Sequence, residues 1–410
     1  MLRNGTSTGV AAVAAIALSL SLSGCGGGGG ISSSATPSMA LSGAGGSQIM
    51  SAASQRQAQE PQLSTVDTDN LAATDVDGPD GASILAKLNA STTIGSTVDP
   101  INGDENPYSL AIAPSTRGLL HRGDLVVCDF NDSANVEGTG NSLIALDPTP
   151  GSSPVPIFSS NALLGCTESV VTNNDDIWTA AFVAPDLAVV SPSGTLVSTF
   201  RGAPFTAPFG ITVAKDPDAA GNTVFYEGDA KSGDIVRIFA GPFGITTAII
   251  ATGFAVNNAV PGAELGPGGL QYDRGRDRLY VVDGTNNTLV ELRHVSTIPA
   301  HGITVHPDGK SFGGPFARRG RLVYAGSPLN APISSALFPN GNVAIGNTGN
   351  PNGENLMVEI TPHGRVAFVR NVDTGASGSI FGMVSSGHDS DDVKLYFGDD
   401  NDNSVIVLTR

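Results

Sequence analysis

The chain has 410 residues, a formal net charge of −17 and a pI near 4.5. This acidity argues against nucleic acid and anionic lipid surfaces as partners. Only 14% of the residues are charged, whereas glycine (52 residues) and proline (26 residues) are frequent. Such a composition is typical of turn-rich β structure and excludes a mainly helical protein.

The N-terminus has the pattern of an export signal. Arg3 precedes an apolar run from Val10 to Leu22, which is too short to span a bilayer as a helix of about 20 residues. The run ends in Leu-Ser-Gly-Cys at residues 22–25, which resembles the lipobox of bacterial lipoproteins. The resemblance implies that residues 1–24 are a signal peptide and that Cys25 becomes the lipid-bearing first residue. The alternative is an ordinary secretory signal with an incidental cysteine.

The residues after Cys25 predict a tether. Residues 25–81 are rich in Gly, Ser and Ala with almost no aromatic side chains, so they cannot bury enough apolar surface to offset the entropy of ordering. We expect this segment to be disordered and to link a membrane anchor to a folded domain over residues 82–410. Gly26, not an aspartate, follows the lipidated cysteine, which favours the outer membrane in a cell that has two.

Two cysteines remain in the expected folded domain, Cys128 and Cys166. Outside the cytoplasm this pair can form a disulfide. Two buried free thiols are the alternative, and the sequence does not decide between them.

A repeated pattern runs through residues 82–410. A Pro-x-Gly-apolar motif opens a short strand, a turn rich in Asp, Gly, Asn and Pro follows, and a second strand ends in an Asp/Asn-rich loop. Asp229, Asp283 and Asp399 each lie six residues before the first apolar residue of a third strand. Short strands with turns at this interval are typical of propeller blades. First strands begin near six positions about 55 residues apart, which predicts an all-β, six-bladed β-propeller: Tyr108, Thr167, Phe209, Gly268, Ile333 and Phe381.

The same pattern predicts how the ring closes. The third strand of the last blade runs over residues 404–408 and the printed sequence ends at Arg410, so that blade lacks a fourth strand. An unpaired sheet edge is an aggregation hazard. We therefore predict that residues 92–98, which precede the first blade, pair with the last blade.

The best repeat copy is Pro267–Leu292, PGGLQYDRGRDRLYVVDGTNNTLVEL, and it resembles the NHL-repeat propellers. This resemblance covers residues of roughly 105–410 and implies a ligand site at the mouth of the central channel. Proteins of this type include binding scaffolds, a peptide-amidating lyase and relatives of calcium-dependent lactonases.

The residues predicted at the channel mouth form an apolar, aromatic ring with one carboxylate. Such a ring fits a binding pocket better than a reaction centre, and the alternative is that the side chains merely fill the channel. Aligning the six copies places there Tyr108, Glu168, Phe209, Gly268, Ile333 and Phe381.

The sequence argues against an enzyme of either known propeller type. A calcium lactonase needs several oxygen ligands at the channel, and only Glu168 with the nearby Asp104, Glu105 and Asn106 offers them. A zinc lyase needs converging histidines. His121, His363 and His388 fall in turns on the face of the propeller opposite the predicted channel mouth. The other three histidines cluster around one insertion, and we interpret them as solvated loop residues: His294, His301 and His306.

Three acidic loops, Asp129–Asp132, Asp283–Asn287 and Asp399–Asn403, lack the spacing of a calcium loop, and we interpret them as turn-forming. The sequence thus predicts a monomeric, lipid-anchored propeller that binds a small-molecule or protein ligand without catalysis. We expect no cofactor and no metal in that case. A channel-metal hydrolase or lyase, for which calcium would be the cofactor, is the alternative, and a purely structural envelope protein is a third.

Overall fold

The computed structural model describes residues 82–256, 266–349 and 353–410. The predicted signal peptide, Cys25 and the tether lie outside the described residues. Within the described part of the chain, no helix has the length and apolar character needed to cross a bilayer.

The first three sheets each contain four consecutive antiparallel strands. Blade 1 contains β2 (Glu105–Ile112), β3 (Leu125–Asn131), β4 (Ser142–Leu146) and β5 (Val155–Ser159). Blade 2 contains β6 (Cys166–Val171), β7 (Ile177–Ala181), β8 (Asp186–Val190) and β9 (Leu196–Arg201). Blade 3 contains β10 (Pro208–Lys215), β11 (Thr223–Asp229), β12 (Asp234–Gly241) and β13 (Gly244–Thr252).

The remaining sheets repeat this order with two departures. Blade 4 contains β14 (Pro267–Asp273), β15 (Arg278–Asp283), β16 (Thr288–Arg293) and, after an insertion, β19 (Gly320–Ala325). Blade 5 contains β20 (Pro332–Leu337), β21 (Val343–Asn347), β22 (Leu356–Ile360) and β23 (Val366–Asn371). Blade 6 contains β24 (Ile380–Ser386), β25 (Lys394–Asp399) and β26 (Ser404–Thr409), and its fourth strand is β1 (Ala90–Ser96).

The innermost strand of every blade contacts the innermost strands of the two neighbouring blades, so the six sheets close into a ring. Apolar side chains alternate along the strands and pack between adjacent blades, which buries both faces of each sheet. The predicted six-bladed propeller is confirmed.

The N-terminal strand closes the ring as predicted. Strand β1 pairs antiparallel with β26, from Ala90 opposite Thr409 to Ser96 opposite Ser404. Its bounds lie two residues before the predicted segment 92–98. Ile94 is buried between blades 6 and 1, so the strand contributes to the core as well as to the sheet.

The residues just before β1 form a second attachment that the sequence did not predict. A 3-10 helix at Leu85–Lys87 lies against blade 5, and the carboxylate of Glu359 accepts hydrogen bonds from the backbone N–H groups of Ile84 (3.1 Å) and Leu85 (2.9 Å). The side chains of Ile84, Leu85 and Leu88 are buried in the core between blades 5 and 6. We call residues 82–96 the N-terminal latch.

The insertion in blade 4 adds two strands to the neighbouring blade 3. Between β16 and β19, strands β17 (Ile303–Val305) and β18 (Phe312–Gly313) form a ribbon. Strand β17 pairs parallel with β13, so the ribbon extends the sheet of blade 3. Strand β19 then completes blade 4 against β16.

Candidate functional site

A β-bulge interrupts the strand pairing at the start of the innermost strand of each blade. Pro107 pairs with Asp129 and Ser109 with Cys128, so Tyr108 is the extra residue. A bulge re-aims the side chain that it carries. The same break in register occurs at Phe209, at Ile333 and at the start of the other blades. This geometry brings Tyr108, Phe209, Ile333 and Phe381 into one buried cluster, and their role as a binding site stays a prediction.

Blade 2 departs from the prediction by one residue. Cys166 pairs with Ala181 and Glu168 with Ala180, so Thr167 carries the bulge and not Glu168. The Thr167 hydroxyl donates to the backbone oxygen of Phe209 at 2.8 Å. Glu168 instead occupies the next layer down, at the position of Gly210 in blade 3. It still lines the same small cavity.

Aromatic rings fill the mouth of the channel. The ring of Tyr108 stacks on that of Phe381, with centroids 4.2 Å apart, and lies 4.3 Å from that of Phe130. Phe209 meets Tyr108 edge to face at 6.2 Å and Phe182 at 6.4 Å. Such pairs add about 0.5–1.5 kcal/mol each beyond their buried area. We call these five residues the aromatic plug, and all of them are buried.

Little space remains beneath the plug. The cavity that it shares with Ile333 and Glu168 measures about 10 Å³, the least that one water molecule requires. Ligand pockets usually offer several hundred cubic ångströms. The side chains predicted to bind a ligand therefore fill the channel in this structure, and their role in binding stays a prediction.

Glu168 is the one acid in its layer of the channel. In the adjacent blade the equivalent residue is Gly210, where an added Cβ would lie 2.6 Å from the backbone oxygen of Gly268, so neighbouring backbones approach closely at this depth. The Glu168 carboxylate accepts a hydrogen bond from the Ser169 N–H at 3.4 Å. Burial raises the pKa of Glu168 to about 8, so the carboxyl is largely protonated at neutral pH.

A group of acids lies at the channel mouth beside the plug, where blades 6 and 1 meet. Asp400 follows the second strand of blade 6, the position that Phe130 and Phe182 hold in blades 1 and 2. Burial, and then the charges of Glu137 and Glu105, raise the pKa of Asp400 to about 8. Burial also raises the pKa of Glu137 to about 7. We call Asp400, Glu137 and Glu105 the acidic rim. Near neutral pH Asp400 and Glu137 are therefore partly protonated, so their carboxyl groups can both donate and accept hydrogen bonds.

Aspartates at the end of the second strands fix the loops around the mouth. Asp229 accepts hydrogen bonds from the N–H groups of Thr206 (2.6 Å) and Ala207 (2.8 Å) before β10, and from Lys231 and Ser232 after β11. Asp283 accepts from the N–H groups of Thr285 and Asn286. These acids act as turn-forming residues, because each binds backbone donors of its own blade.

Asp129 holds the equivalent position in blade 1 but has no such donors. It is fully buried, and neither carboxylate oxygen has a hydrogen-bond partner among the described residues. Sequence reasoning treated it as another turn-forming acid. The only available signal was the acidic stretch Asp104–Glu105 before β2, where blade 3 has the uncharged Phe205 and Thr206.

Cys128 of β3 and Cys166 of β6 are paired as a disulfide in the structure, with Cα atoms 6.1 Å apart. This separation lies within the usual range for disulfides. The bond would join blade 1 to blade 2 through residues that are buried in one core cluster. Its formation in the protein stays a prediction.

The histidines lie where the sequence placed them. His121 and His388 follow the first strands of blades 1 and 6, and His363 lies between β22 and β23. His294, His301 and His306 belong to the insertion before β19. Within residues 82–256, 266–349 and 353–410, no three His, Cys, Asp or Glu side chains are placed to share a metal ion.

Comparisons with known proteins bear on the fold alone. No protein-family model and no curated protein sequence matches the chain. A gluconolactonase from Xanthomonas campestris superposes with a TM-score of 0.51 at 12% identity, covering 80% of this chain and 93% of that one. Virginiamycin B lyase from Staphylococcus aureus gives 0.47 at 13% identity, covering 78% and 99%. A chain of a nidogen/laminin complex gives 0.47 at 14% identity, covering 70% and 85%. The match to the gluconolactonase agrees with the β-propeller fold of this chain.

Proposed function

We propose that this chain is a lipid-anchored β-propeller of the bacterial cell envelope that binds a ligand or protein partner as a scaffold, without catalysis. Cys25 carries the anchor, residues 25–81 form the tether, and the propeller presents its loops to the partner. In a cell with two membranes the anchor lies in the outer one, because Gly26 follows Cys25.

The filled channel is the observation that supports a scaffold over an enzyme. Propeller chemistry on the channel axis requires a cavity that admits a substrate, and the cavity beneath the plug measures about 10 Å³. A partner therefore meets the loops of a channel face and not the axis itself. The acidic rim lies beside the plug, and its partly protonated carboxyl groups favour a partner with hydrogen-bonding groups.

A turnover assay separates the scaffold from the channel-metal hydrolase or lyase. Purified mature protein would be tested on a panel of lactones and cyclic esters with Ca²⁺, Mg²⁺ or Zn²⁺. We expect no turnover above buffer for the wild type or for Glu168→Ala. Metal-dependent turnover that Glu168→Ala abolishes would replace the scaffold with the enzyme.

Site-specific photo-crosslinking in bacterial cells tests the scaffold directly. A photoreactive residue would be placed at Val136, which is exposed beside the rim, and in a second strain at Val197, which is exposed on the outer strand β9. We expect a discrete adduct at Val136 and none at Val197. If neither position forms an adduct, a scaffold that binds its partner at the channel mouth is contradicted.

Labelling with a palmitate analogue tests the anchor. The wild type should incorporate the label and sediment with membranes, whereas Cys25→Ser should do neither. Equal labelling of both proteins, or of neither, would remove lipid anchoring from the account.

A further inference from the structure

We propose a divalent-cation site, suited to Ca²⁺, at the seam between blades 1 and 6, with the carboxylates of Asp129 and Asp104 as its protein ligands. The site lies apart from the channel axis and next to the strand that closes the ring. It does not depend on the proposed scaffold function.

The argument starts from the contrast between blades 1 and 3. Asp229 binds the N–H groups of the two residues that precede β10. The equivalent residues before Pro107 are Glu105 and Asn106. Glu105 pairs with Asn131 in an extended ladder, and the Asn106 N–H donates to the side chain of Asn403 at 2.9 Å. The backbone N–H groups of blade 1 that are equivalent to the donors of Asp229 therefore do not bind Asp129.

Other acids lie near Asp129 where those donors are missing. Asp104, Asp99 and Glu105 are close enough to Asp129 for their negative charges to act on it. Asp99 and Asp104 are themselves almost fully buried. The hydroxyl of Ser142 lies near both Asp104 and Asp129, and it donates to Asp104 at 2.9 Å. The charged groups that act on Asp129 are thus all acids.

Buried polar atoms without partners continue around the seam. Both side-chain heteroatoms of Asn106 lack a hydrogen-bond partner among the described residues, as do the hydroxyls of Thr97 and Ser404. Residue 97 follows β1, and Ser404 pairs with the end of β1. Buried carboxylates that stay ionised in proteins are paired or bind metal ions. Several unpartnered oxygens between two blades are what a bound cation would satisfy.

The chemistry of these groups favours Ca²⁺. Carboxylate, amide, hydroxyl and backbone oxygens are hard ligands, and Ca²⁺ accepts six to eight of them in irregular geometry, often with water. No three acidic side chains of the described chain surround one point, so the ion takes two carboxylates and completes its shell with neutral oxygens. Bound there, it links β3 to the loop before β2.

The test measures calcium binding and calcium-dependent stability of the full mature chain after treatment with EDTA. Isothermal titration calorimetry with Ca²⁺ should give one site per chain. At a Ca²⁺ concentration 100 times the Kd, the folding equilibrium constant should rise about 100-fold. Asp129→Asn preserves the side-chain shape and should abolish both effects. Asp104→Asn, a second variant in case the first fails to fold, should abolish them too.

Two controls separate this site from unspecific binding to an acidic protein. Asp229→Asn changes the same position in blade 3 and should keep the full calcium response despite a loss of stability. Glu137→Gln removes an acid of the rim and should also keep it. A wild type that does not respond to Ca²⁺, or a response that survives in Asp129→Asn, would overturn the site. The first of these results, together with a gain in stability of Asp129→Asn at pH 8, would identify Asp129 as a buried protonated acid.

Discussion

The N-terminal latch should stabilise the whole ring and not only the blades that it touches. Leu88 is fully buried and packs with Phe338, Met383 and Leu395 between blades 5 and 6. Leu88→Ala removes this side chain from a closed core, and such changes cost about 2–5 kcal/mol. Since β1 is the fourth strand of blade 6, loss of the latch opens the seam between the first and last blades.

The only tryptophan gives an assay that is remote from the latch. Trp178 is buried between blades 2 and 3, where it contacts Phe225. In urea, with an m-value of about 3 kcal/mol/M, a loss of about 3 kcal/mol lowers the midpoint by about 1 M. We expect this shift in Trp178 fluorescence for Leu88→Ala. Val197→Ala, at a residue that is 60% exposed, should change the free energy of unfolding by less than about 0.5 kcal/mol.

An unchanged Trp178 midpoint in Leu88→Ala would refute this reasoning. If circular dichroism showed an earlier transition at the same time, the latch would be a local attachment. The ring would then be closed by contacts between the inner strands and not by the N-terminal strand.

Three further predictions concern the channel and the disulfide. The paired cysteines are 38 residues apart, and closing a loop of that length in the unfolded chain is worth about 4 kcal/mol. The double variant Cys128→Ala/Cys166→Ala should therefore lose about 4 kcal/mol of unfolding free energy in urea titrations without reductant. If the wild type instead has free thiols, dithiothreitol will not change its stability. Burial raises the pKa of Glu168 from its usual value near 4.5 to about 8, so the folded state holds the proton more tightly than the unfolded state. The stability of the wild type should therefore fall relative to that of Glu168→Gln as the pH rises from about 5 to 8. Parallel curves of stability against pH for the two proteins would contradict this pKa. Phe209→Ala should cost about 3–5 kcal/mol because it leaves a hole in the plug, and a loss below 1 kcal/mol in thermal unfolding would show that the plug does not support the ring.

The repeat architecture could be predicted because it depends on local chemistry. Turn residues at a fixed distance from apolar strands, as at Asp229 and Asp283, mark the ends of second strands in any blade. The closing strand could be predicted as well, since a blade with three strands leaves an edge that must be paired. These inferences need only the order of residues along the chain.

The site could be predicted only in part, because its geometry depends on contacts between blades. A bulge shifts the register by one residue, and the sequence of blade 2 does not show whether Thr167 or Glu168 carries it. The environment of Asp129 depends on where the loop before β2 lies, and its spacing is the same as that of the hydrogen-bonded Asp229. Burial of Leu88 beneath blade 5 also joins residues that are far apart in the chain.

A high-resolution crystal structure of the mature chain, grown with Ca²⁺, would test the filled channel most directly. We predict that Tyr108 and Phe381 remain stacked with centroids about 4 Å apart and that no ligand or metal ion lies on the axis beneath them. An open channel with an ion or ligand bound beside Glu168 would contradict the scaffold and favour the enzyme.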